Sequence, residues 1–140
     1  MPETPIIRMF EAADRAAVIA LWKLVLPSDA AWNEPGEVIE RKMHVQPELF
    51  FVAASEGDVV GTVIAGFDGV RGWIHKLAVH PNWRRRGLAS NLMRRAEQGL
   101  RDIGCPKLNL QVRASNLEVL KFYQALGYEI EDRASLGKPL

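Results

Sequence analysis

The sequence of 140 residues lacks the features that mark several large classes of protein. It has a single cysteine, Cys105, so neither an intrachain disulfide nor a cysteine-based zinc site can form. No apolar run approaches the length of a membrane span, and Met1 to Pro5 lack the basic and apolar regions of a signal peptide. We therefore expect a cytoplasmic protein that has no membrane partner.

An excess of charge of either sign is also absent, because 18 lysines and arginines offset 17 acidic residues to a net charge of +1. This balance argues against a nucleic-acid partner, although a binding surface built on Arg84 to Arg86, Arg94 and Arg95 is the alternative. The histidines lack metal-ligand spacing, so no metal is expected. They are His44, His75 and His80.

What is present is the composition of an ordinary globular protein, with 48% hydrophobic and 25% charged residues. A chain of this length buries about two-thirds of the surface that it exposes when unfolded, which is enough for a hydrophobic core. The sequence has no internal repeat and no low-complexity segment. We therefore predict a single domain over residues 1–140.

Hydrophobic periodicity predicts a strand, two helices, three strands, a helix, a strand, a helix and a last strand. The predicted strands are residues 6–10, 49–54, 59–67, 73–79, 108–112 and 128–132, with a further strand or an arm from residue 134. The first predicted helix follows Asp14, whose carboxylate is expected to cap it, and the others span 37–45, 88–103 and 117–126. A helix between two strands implies a parallel pair, so the fold class is α/β with a mixed sheet.

One stretch, residues 77–97, places cations where a helix begins. An apolar strand ends there, Pro81 breaks it, and three arginines and Gly87 precede a long helix. Cations at a helix N-terminus are unfavourable by about 0.3–1 kcal/mol each unless an anion lies among them. The stretch therefore predicts a cradle for phosphate, in which Gly87 lets the anion approach the backbone; the alternative is a solvated basic turn. The candidate residues of this cradle are Arg84, Arg85, Arg86, Gly87, Leu88, Ala89 and Ser90.

The pattern Arg84-x-x-Gly87-x-Ala89, entered from that strand, resembles the acetyl-coenzyme A signature of the GNAT superfamily of N-acetyltransferases. The resemblance implies that the loop amides hold the pyrophosphate of acetyl-coenzyme A. It also implies that the preceding strand binds the pantetheine arm of the coenzyme through Leu77, Ala78 and Val79. It also implies a central mixed sheet of six to seven strands flanked by about four helices. A V-shaped splay is expected between the two central parallel strands.

A second block, in which Asn116 ends a strand and Tyr123 lies on the next helix, is similar to the second conserved block of GNAT enzymes. By this resemblance Asn116 contacts the pantetheine arm, and Tyr123 lies near the thioester sulfur as the general acid. A phenol with a pKa near ~10 stays protonated at neutral pH and can supply the proton that a departing thiolate needs. The alternative for Tyr123 is a core aromatic residue. Backbone N–H groups near Leu77 and Val79 are the expected oxyanion donors.

Two departures from the family pattern concern the general base. The strand before Asn116 resembles that of the ribosomal-protein alanine acetyltransferases, which carry a catalytic glutamate where this chain has Gln111. Trp73 stands where many GNAT enzymes place another glutamate. His75 titrates near neutral pH and is a candidate base, although a lone histidine on an apolar strand is more often a core residue. Asp68, Glu34 and Glu37 are weaker candidates, and no base is needed if a fraction of free amine binds directly or through water.

Three further segments, Trp32 to Pro35, Ile39 to Met43 and Ser135 to Lys138, resemble the small bacterial YpeA-type acetyltransferases, and the resemblance covers nearly the whole chain. It implies direct transfer of the acetyl group of acetyl-coenzyme A to a primary amine. The acceptor, a small molecule or a peptide, is expected to enter near the loop 28–36. Trp32 in that loop is expected to fill the core, and the alternative is that it lines a substrate pocket. A non-catalytic acyl-coenzyme A sensor is the alternative function, because the usual base is missing. Exposed strand edges late in the chain are compatible with a homodimer.

Overall fold

Five strands form one sheet in the computed structural model, which describes residues 4–140. The strands are β1 (Ile6–Met9), β2 (Phe50–Ser55), β3 (Asp58–Phe67), β4 (Gly72–Val79) and β5 (Leu108–Asn109). The α-helices of the described residues are α1 (Arg15–Val25), α2 (Pro35–Lys42), α3 (Leu88–Asp102) and α4 (Leu117–Ala125). This order confirms the predicted α/β class. The prediction about Met1 to Pro5 falls partly outside the described residues.

The sheet follows the order of the chain, from β1 to β5. The first four strands pair antiparallel, and β4 pairs parallel with β5. The parallel register joins Gly72 to Leu108 and Trp73 to Asn109, while the remainder of β4 continues to pair with β3. A parallel pair that is confined to the start of β4 is what the predicted splay of the two parallel strands requires.

Contacts divide the chain into a unit that ends at Leu110 and a second unit, Gln111–Leu140. The first unit holds the whole sheet together with α1, α2 and α3, and the second holds α4. The single domain over residues 1–140 stays a prediction.

Helices cover both faces of the sheet within the first unit. On one face, α1 and α2 pack through Val18, Trp22 and Ile39 against residues of β2 and β3 in one buried cluster. On the other face, α3 approaches β3 so closely that a Cβ at Gly61 would lie 2.9 Å from the Leu92 side chain. The central strands therefore contribute alternate residues to two hydrophobic layers, one on each face of the sheet.

The strand predicted over residues 128–132 is wrong, and the predicted strand 108–112 is shortened to β5. Five strands therefore replace the six to seven that were expected, and the tail from residue 134 adds none in the described chain. The alternation of Tyr128, Glu129, Ile130 and Glu131 suits a half-buried strand, but Ile130 is 70% exposed. Alternation alone does not make a strand, because the ladder bonds must come from a neighbouring strand.

Three local predictions also need correction. Helix α2 begins at Pro35 rather than at 37, because Glu34 caps it by accepting bonds from the N–H groups of Gly36 and Glu37. The Asp14 carboxylate does not cap α1, since it accepts from the Glu11 N–H group and from the Arg8 guanidinium. Trp32 is 61% exposed, so the expectation that it fills the core is wrong.

Candidate functional site

The loop between β4 and α3 has the backbone of an anion cradle. A short 3-10 turn from Pro81 follows His80, whose Nδ1 accepts a bond from the Asn82 N–H group at 3.1 Å. Arg85 and Gly87 then take left-handed φ angles of 62° and 76°, and Gly87 is followed directly by the right-handed residues of α3. Alternating handedness turns successive N–H groups toward one side, which is the geometry of backbone nests that bind anions.

The side chains of this loop leave the cradle open and positively charged. Arg84 to Arg86 are exposed, and Arg86 stacks its guanidinium over the Trp83 ring at 4.7 Å. The first turn of α3 holds no acidic residue to balance them. A Cβ built on Gly87 meets nothing within 4 Å, so space for a ligand exists beside the N-terminus of α3. The residues present therefore fit a pyrophosphate group.

Strand β4, which leads into this loop, carries a bulge. Thr62 pairs with Ala78 and Ile64 pairs with His75, so one residue of β3 faces two of β4, Lys76 and Leu77. Lys76 takes a left-handed φ of 56°, which is unusual for a residue other than glycine. A bulge interrupts the regular ladder and redirects the local backbone groups, and bulges recur beside active sites. Leu77 and Val79 are half-buried and Ala78 is buried along this segment.

A cleft of about 330 Å³ opens beside the bulge, on the face of the sheet that α1 covers. The last turn of α1 supplies Trp22, its C-cap residue is Leu26, the following loop supplies Asn33, and β4 supplies Lys76. The Lys76 ammonium lies 5.5 Å from the Trp22 ring centroid and donates to Asn33 Oδ1 at 3.1 Å. Burial lowers the pKa of Lys76. The cleft lies at the loop where the acceptor was expected to enter.

The four candidate bases differ in how their atoms are engaged, and Glu37 is exposed, with its carboxylate 4.0 Å from the Arg41 guanidinium. Glu34 and Asp68 both accept two backbone N–H bonds, and these bonds lower the pKa of each carboxyl. Such carboxylates are weaker bases than free ones. The His75 side chain is exposed to solvent on one side. The protein around its ring nevertheless desolvates it, and this desolvation is the main cause of its lowered pKa. The ammonium groups of Lys76 and Lys42 lower the pKa of His75 further, so its ring is neutral at neutral pH.

Lys42 is a buried lysine near this face of the sheet. It is 9% exposed and donates from Nζ to the Ala65 carbonyl oxygen at 2.6 Å. Burial lowers the pKa of Lys42 to about 8, although the negative charge of Glu48 acts in the opposite direction and raises this pKa. The charged form of Lys42 therefore lowers the free energy of unfolding at neutral pH.

We expect the stability of the protein to rise between pH 8 and pH 10.5 because of Lys42. The unfolded chain keeps the Lys42 proton up to its ordinary pKa of 10.5, whereas the folded chain releases it at about 8. The unfolded state binds more protons in this window, so the free energy of unfolding increases with pH, by up to roughly 3 kcal/mol. Urea unfolding of wild type and Lys42→Met across this range measures the effect.

In Lys42→Met the rise attributed to this residue should vanish. Lys23→Met, which changes an exposed lysine of α1, is the matched control and should keep the wild-type slope. Parallel pH profiles for wild type and Lys42→Met would show that the buried ammonium does not titrate in the folded state.

Asn116 and Tyr123 belong to the second unit. Asn116 is the N-cap of α4, and its Oδ1 accepts from the Val119 N–H group at 3.3 Å. Tyr123 is 8% exposed, and its ring meets the edges of Phe122 and Tyr128 at centroid distances of 5.0 and 5.7 Å. Burial raises the pKa of Tyr123 to about 12. Its phenol therefore keeps its proton throughout the physiological range.

Residues 4–140 contain no group of three or more His, Cys, Asp or Glu side chains arranged to hold a metal ion. Over the same residues, no helix combines the length and the apolar character needed to cross a bilayer.

Sequence reasoning missed Thr62 and Lys76. Thr62 is completely buried and bonds both Trp22 and the backbone of Lys76. A single hydroxyl within the otherwise apolar run of β3 was the signal that could have drawn notice to it. The left-handed conformation of Lys76 left no such signal, since lysine has no preference for positive φ.

The family model and the relatives that match this chain all carry the name acetyltransferase. A family model described as the acetyltransferase (GNAT) family matches residues 16–128. An acetyltransferase of Yersinia enterocolitica is 46% identical over 137 residues, which cover 96% of this chain and 94% of the relative. An acetyltransferase of Pectobacterium atrosepticum is 45% identical over the same shares of the two chains.

Solved structures agree in fold. Ard1 from Thermoplasma volcanium superposes with a TM-score of 0.82 at 25% identity, covering 92% of this chain and 85% of the other. The aminoglycoside acetyltransferase AAC(6')-Iy, solved with a bisubstrate analogue of coenzyme A, gives a TM-score of 0.81 at 19% identity over 99% of both chains. At that identity the second likeness concerns the fold alone.

Proposed function

This chain belongs to the acetyltransferase (GNAT) family and is an acyl-coenzyme A-dependent N-acetyltransferase, and from this premise we propose how its residues act. The acetyl group of acetyl-coenzyme A passes directly to a primary amine of a small molecule or a peptide. Tyr123 is the general acid, and Asn116 contacts the pantetheine arm. Leu77 to Val79 and the cradle from Arg84 to Ser90 bind the coenzyme.

The cradle is the observation that carries the proposal. Left-handed residues at Arg85 and Gly87, three exposed arginines and an α3 N-terminus without acidic residues all favour a multiply charged anion at one place. The pyrophosphate of coenzyme A supplies such an anion. Strand β4 runs directly into this loop, so a pantetheine arm that leaves the pyrophosphate can follow the strand backbone.

The proposed transfer has two stages, attack of the amine on the thioester carbon and departure of the thiolate. The amine nitrogen attacks the thioester carbonyl carbon, a C–N bond forms, and the carbonyl oxygen becomes an oxyanion that accepts from N–H groups near Leu77 and Val79. The C–S bond then breaks, and the thiolate takes a proton from the Tyr123 hydroxyl. The nitrogen gives up a proton to a base or to water, and solvent returns one to Tyr123.

His75 is the candidate base that the local electrostatics favour. A base must be neutral before it can accept a proton, and the lowered pKa of His75 keeps its ring in that form. Glu34 and Asp68 are less suited, since each carboxylate is already engaged by backbone N–H groups. The cleft beside Trp22 and Asn33 is the proposed entrance for the acceptor, because it opens on the same face as the bulge.

Acetyl transfer to a panel of amines tests the function. Peptide N-termini, lysine side chains, amino acids and polyamines are offered with acetyl-coenzyme A, and both the released thiol and the acetylated product are measured. We expect at least one class of amine to be acetylated in an amount that matches the amount of thiol released. Tight coenzyme binding without acetylation of any amine would instead favour the non-catalytic sensor.

Arginine replacement tests the cradle separately. Coenzyme A should raise the melting temperature by mass action, and the rise should shrink in Arg84→Gln/Arg86→Gln because two cations near the pyrophosphate are lost. Added salt should shrink the rise for wild type as well. Differential scanning fluorimetry with and without coenzyme A measures both effects.

A charge-matched control is available at the other end of α3. Arg71 precedes Gly72, where an added Cβ would meet the Leu100 side chain, and Arg101 lies in the last turn of the helix. Arg71→Gln/Arg101→Gln removes the same charge there and should keep the full ligand-induced rise. Equal rises in the two double variants would mean that Arg84 and Arg86 are only solvated surface.

A further inference from the structure

Three groups from distant parts of the sequence meet at the bulge of β4. The Trp22 Nε1–H group donates to Thr62 Oγ1 at 2.8 Å, and the Thr62 hydroxyl donates to the Lys76 carbonyl oxygen at 2.8 Å. Trp22 is 1% exposed and Thr62 is fully buried. A threonine hydroxyl has one proton, so these two bonds orient it completely: it accepts from the indole and donates to the bulge.

The Lys76 carbonyl belongs to the same peptide group as the Leu77 N–H. A peptide group is planar, and in the trans form, which this bond adopts, its C=O and N–H point in opposite directions. Holding the carbonyl oxygen toward Thr62 therefore directs the Leu77 N–H away from Thr62. The bulge interrupts the regular ladder of hydrogen bonds at this point. The bond from the Thr62 hydroxyl to the Lys76 carbonyl oxygen therefore sets the direction of the Leu77 N–H group in place of a ladder bond.

Lys76 is held at its other end as well. Its ammonium lies over the ring of the same Trp22 and donates to Asn33 Oδ1. A lysine at a φ of 56° is in a sparsely populated conformation, and such strain persists only where the surroundings impose it. The carbonyl bond and the ammonium contacts together supply that constraint.

We infer that Thr62, oriented by Trp22, is a positioning residue that aims the Leu77 N–H at the thioester carbonyl. The inference rests on the proposed function, in which that N–H group is an oxyanion donor. Neither side chain touches the coenzyme in this account, so their effect reaches the reaction only through the Lys76–Leu77 peptide. Hydrogen-bond donors stabilise an oxyanion because they are held in place before its charge develops. If the Lys76–Leu77 peptide is less firmly held, we therefore expect slower catalysis even when acetyl-coenzyme A binds normally.

The test needs no acceptor, because the bound thioester reports the donor directly. Coenzyme labelled with carbon-13 at the acetyl carbonyl is bound to the protein, and its NMR resonance is compared with that of the free thioester. A hydrogen bond to the carbonyl oxygen displaces this resonance downfield. We expect a downfield displacement in wild type, loss of most of it in Thr62→Val, and retention in Thr62→Ser, which keeps the hydroxyl. The dissociation constant of acetyl-coenzyme A should stay within about threefold throughout.

Control variants separate positioning from simple destabilisation. Ile39→Val trims the buried cluster that contains Trp22 without touching the hydrogen bonds and should keep the wild-type resonance. Where Thr62→Val does not fold, Thr62→Ala carries the same test, since it removes the hydroxyl without placing a methyl group against the indole N–H. Once an acceptor is known, kcat of the hydroxyl-free variant should fall about 10- to 100-fold with KM for acetyl-coenzyme A unchanged.

The outcomes are distinct. A folded, hydroxyl-free variant that binds acetyl-coenzyme A with the wild-type resonance would overturn the positioning role. A wild-type protein that binds the thioester without any displacement would overturn it too, by removing the donor, while acetyl transfer could still stand. Failure of the wild type to bind acetyl-coenzyme A at all would defeat the proposed function itself.

Discussion

Replacing Tyr123 by phenylalanine is expected to lower kcat by about 10²–10⁴-fold, the usual contribution of a general acid. The substitution keeps the ring and its edge contacts with Phe122 and Tyr128 and removes the proton that the thiolate requires. Acetyl-coenzyme A affinity should change little. Steady-state kinetics with the best amine from the panel, together with calorimetry for the coenzyme, measure the two quantities.

The pH dependence gives a second readout for Tyr123. A general acid works only while it holds its proton, and burial moves the pKa of Tyr123 up from 10.0 to about 12. The wild-type kcat should therefore show no loss attributable to this residue as the pH rises through 10. A limb that falls near pH 10 and disappears in Tyr123→Phe would contradict the buried, strongly protonated phenol.

Tyr128→Phe is the matched control, because it removes the hydroxyl of the only other tyrosine, whose ring lies against Tyr123. We expect it to retain most of the wild-type kcat. A structural tyrosine predicts the reverse pattern for Tyr123→Phe, with a lower melting temperature and wild-type turnover per folded molecule. That result would remove Tyr123 from the mechanism.

Gly87→Val is expected to weaken acetyl-coenzyme A binding at least tenfold, about 1.4 kcal/mol. Gly87 has a φ of 76°, and a Cβ there points into open space rather than into the protein. The valine side chain would occupy the volume proposed for the pyrophosphate, and the branched residue would also resist the left-handed conformation that forms the cradle. Isothermal calorimetry measures the affinity, and circular dichroism checks the fold.

Gly104→Val separates these two effects. Gly104 has a φ of 83°, also faces open space, and follows the other end of α3, so its substitution imposes similar backbone strain away from the cradle. Both variants should lose stability, but only Gly87→Val should lose affinity. Unchanged affinity in Gly87→Val would exclude the loop as the anion site.

The sequence by itself determined the order of the elements as far as α4, and it marks the loop that we propose as the anion cradle. Both depend on residues close together in the chain: periodicity within β2, β3 and α3, and the run from Pro81 to Ala89 that combines a strand break, three cations and a glycine. Local sequence also accounts for the left-handed φ angles of Gly104 and Gly127, since these glycines directly follow the C-caps of α3 and α4. A helix start at 37 was nonetheless wrong, because the capping role of Glu34 was not recognised.

Only the tertiary structure decided what depends on distant residues. Residues 128–132 could form a strand only if a neighbouring strand paired with their backbone. Likewise, Trp32 could be buried only if other residues packed over it. The lowered pKa of Lys42 arises from burial that its helix alone does not impose. Above all, the bond from Trp22 to Thr62 joins residues 40 positions apart, and the bond from Thr62 to Lys76 joins residues 14 apart across a bulge. Hydrogen bonds of this kind follow from the packing of α1 on the sheet, which no local pattern specifies.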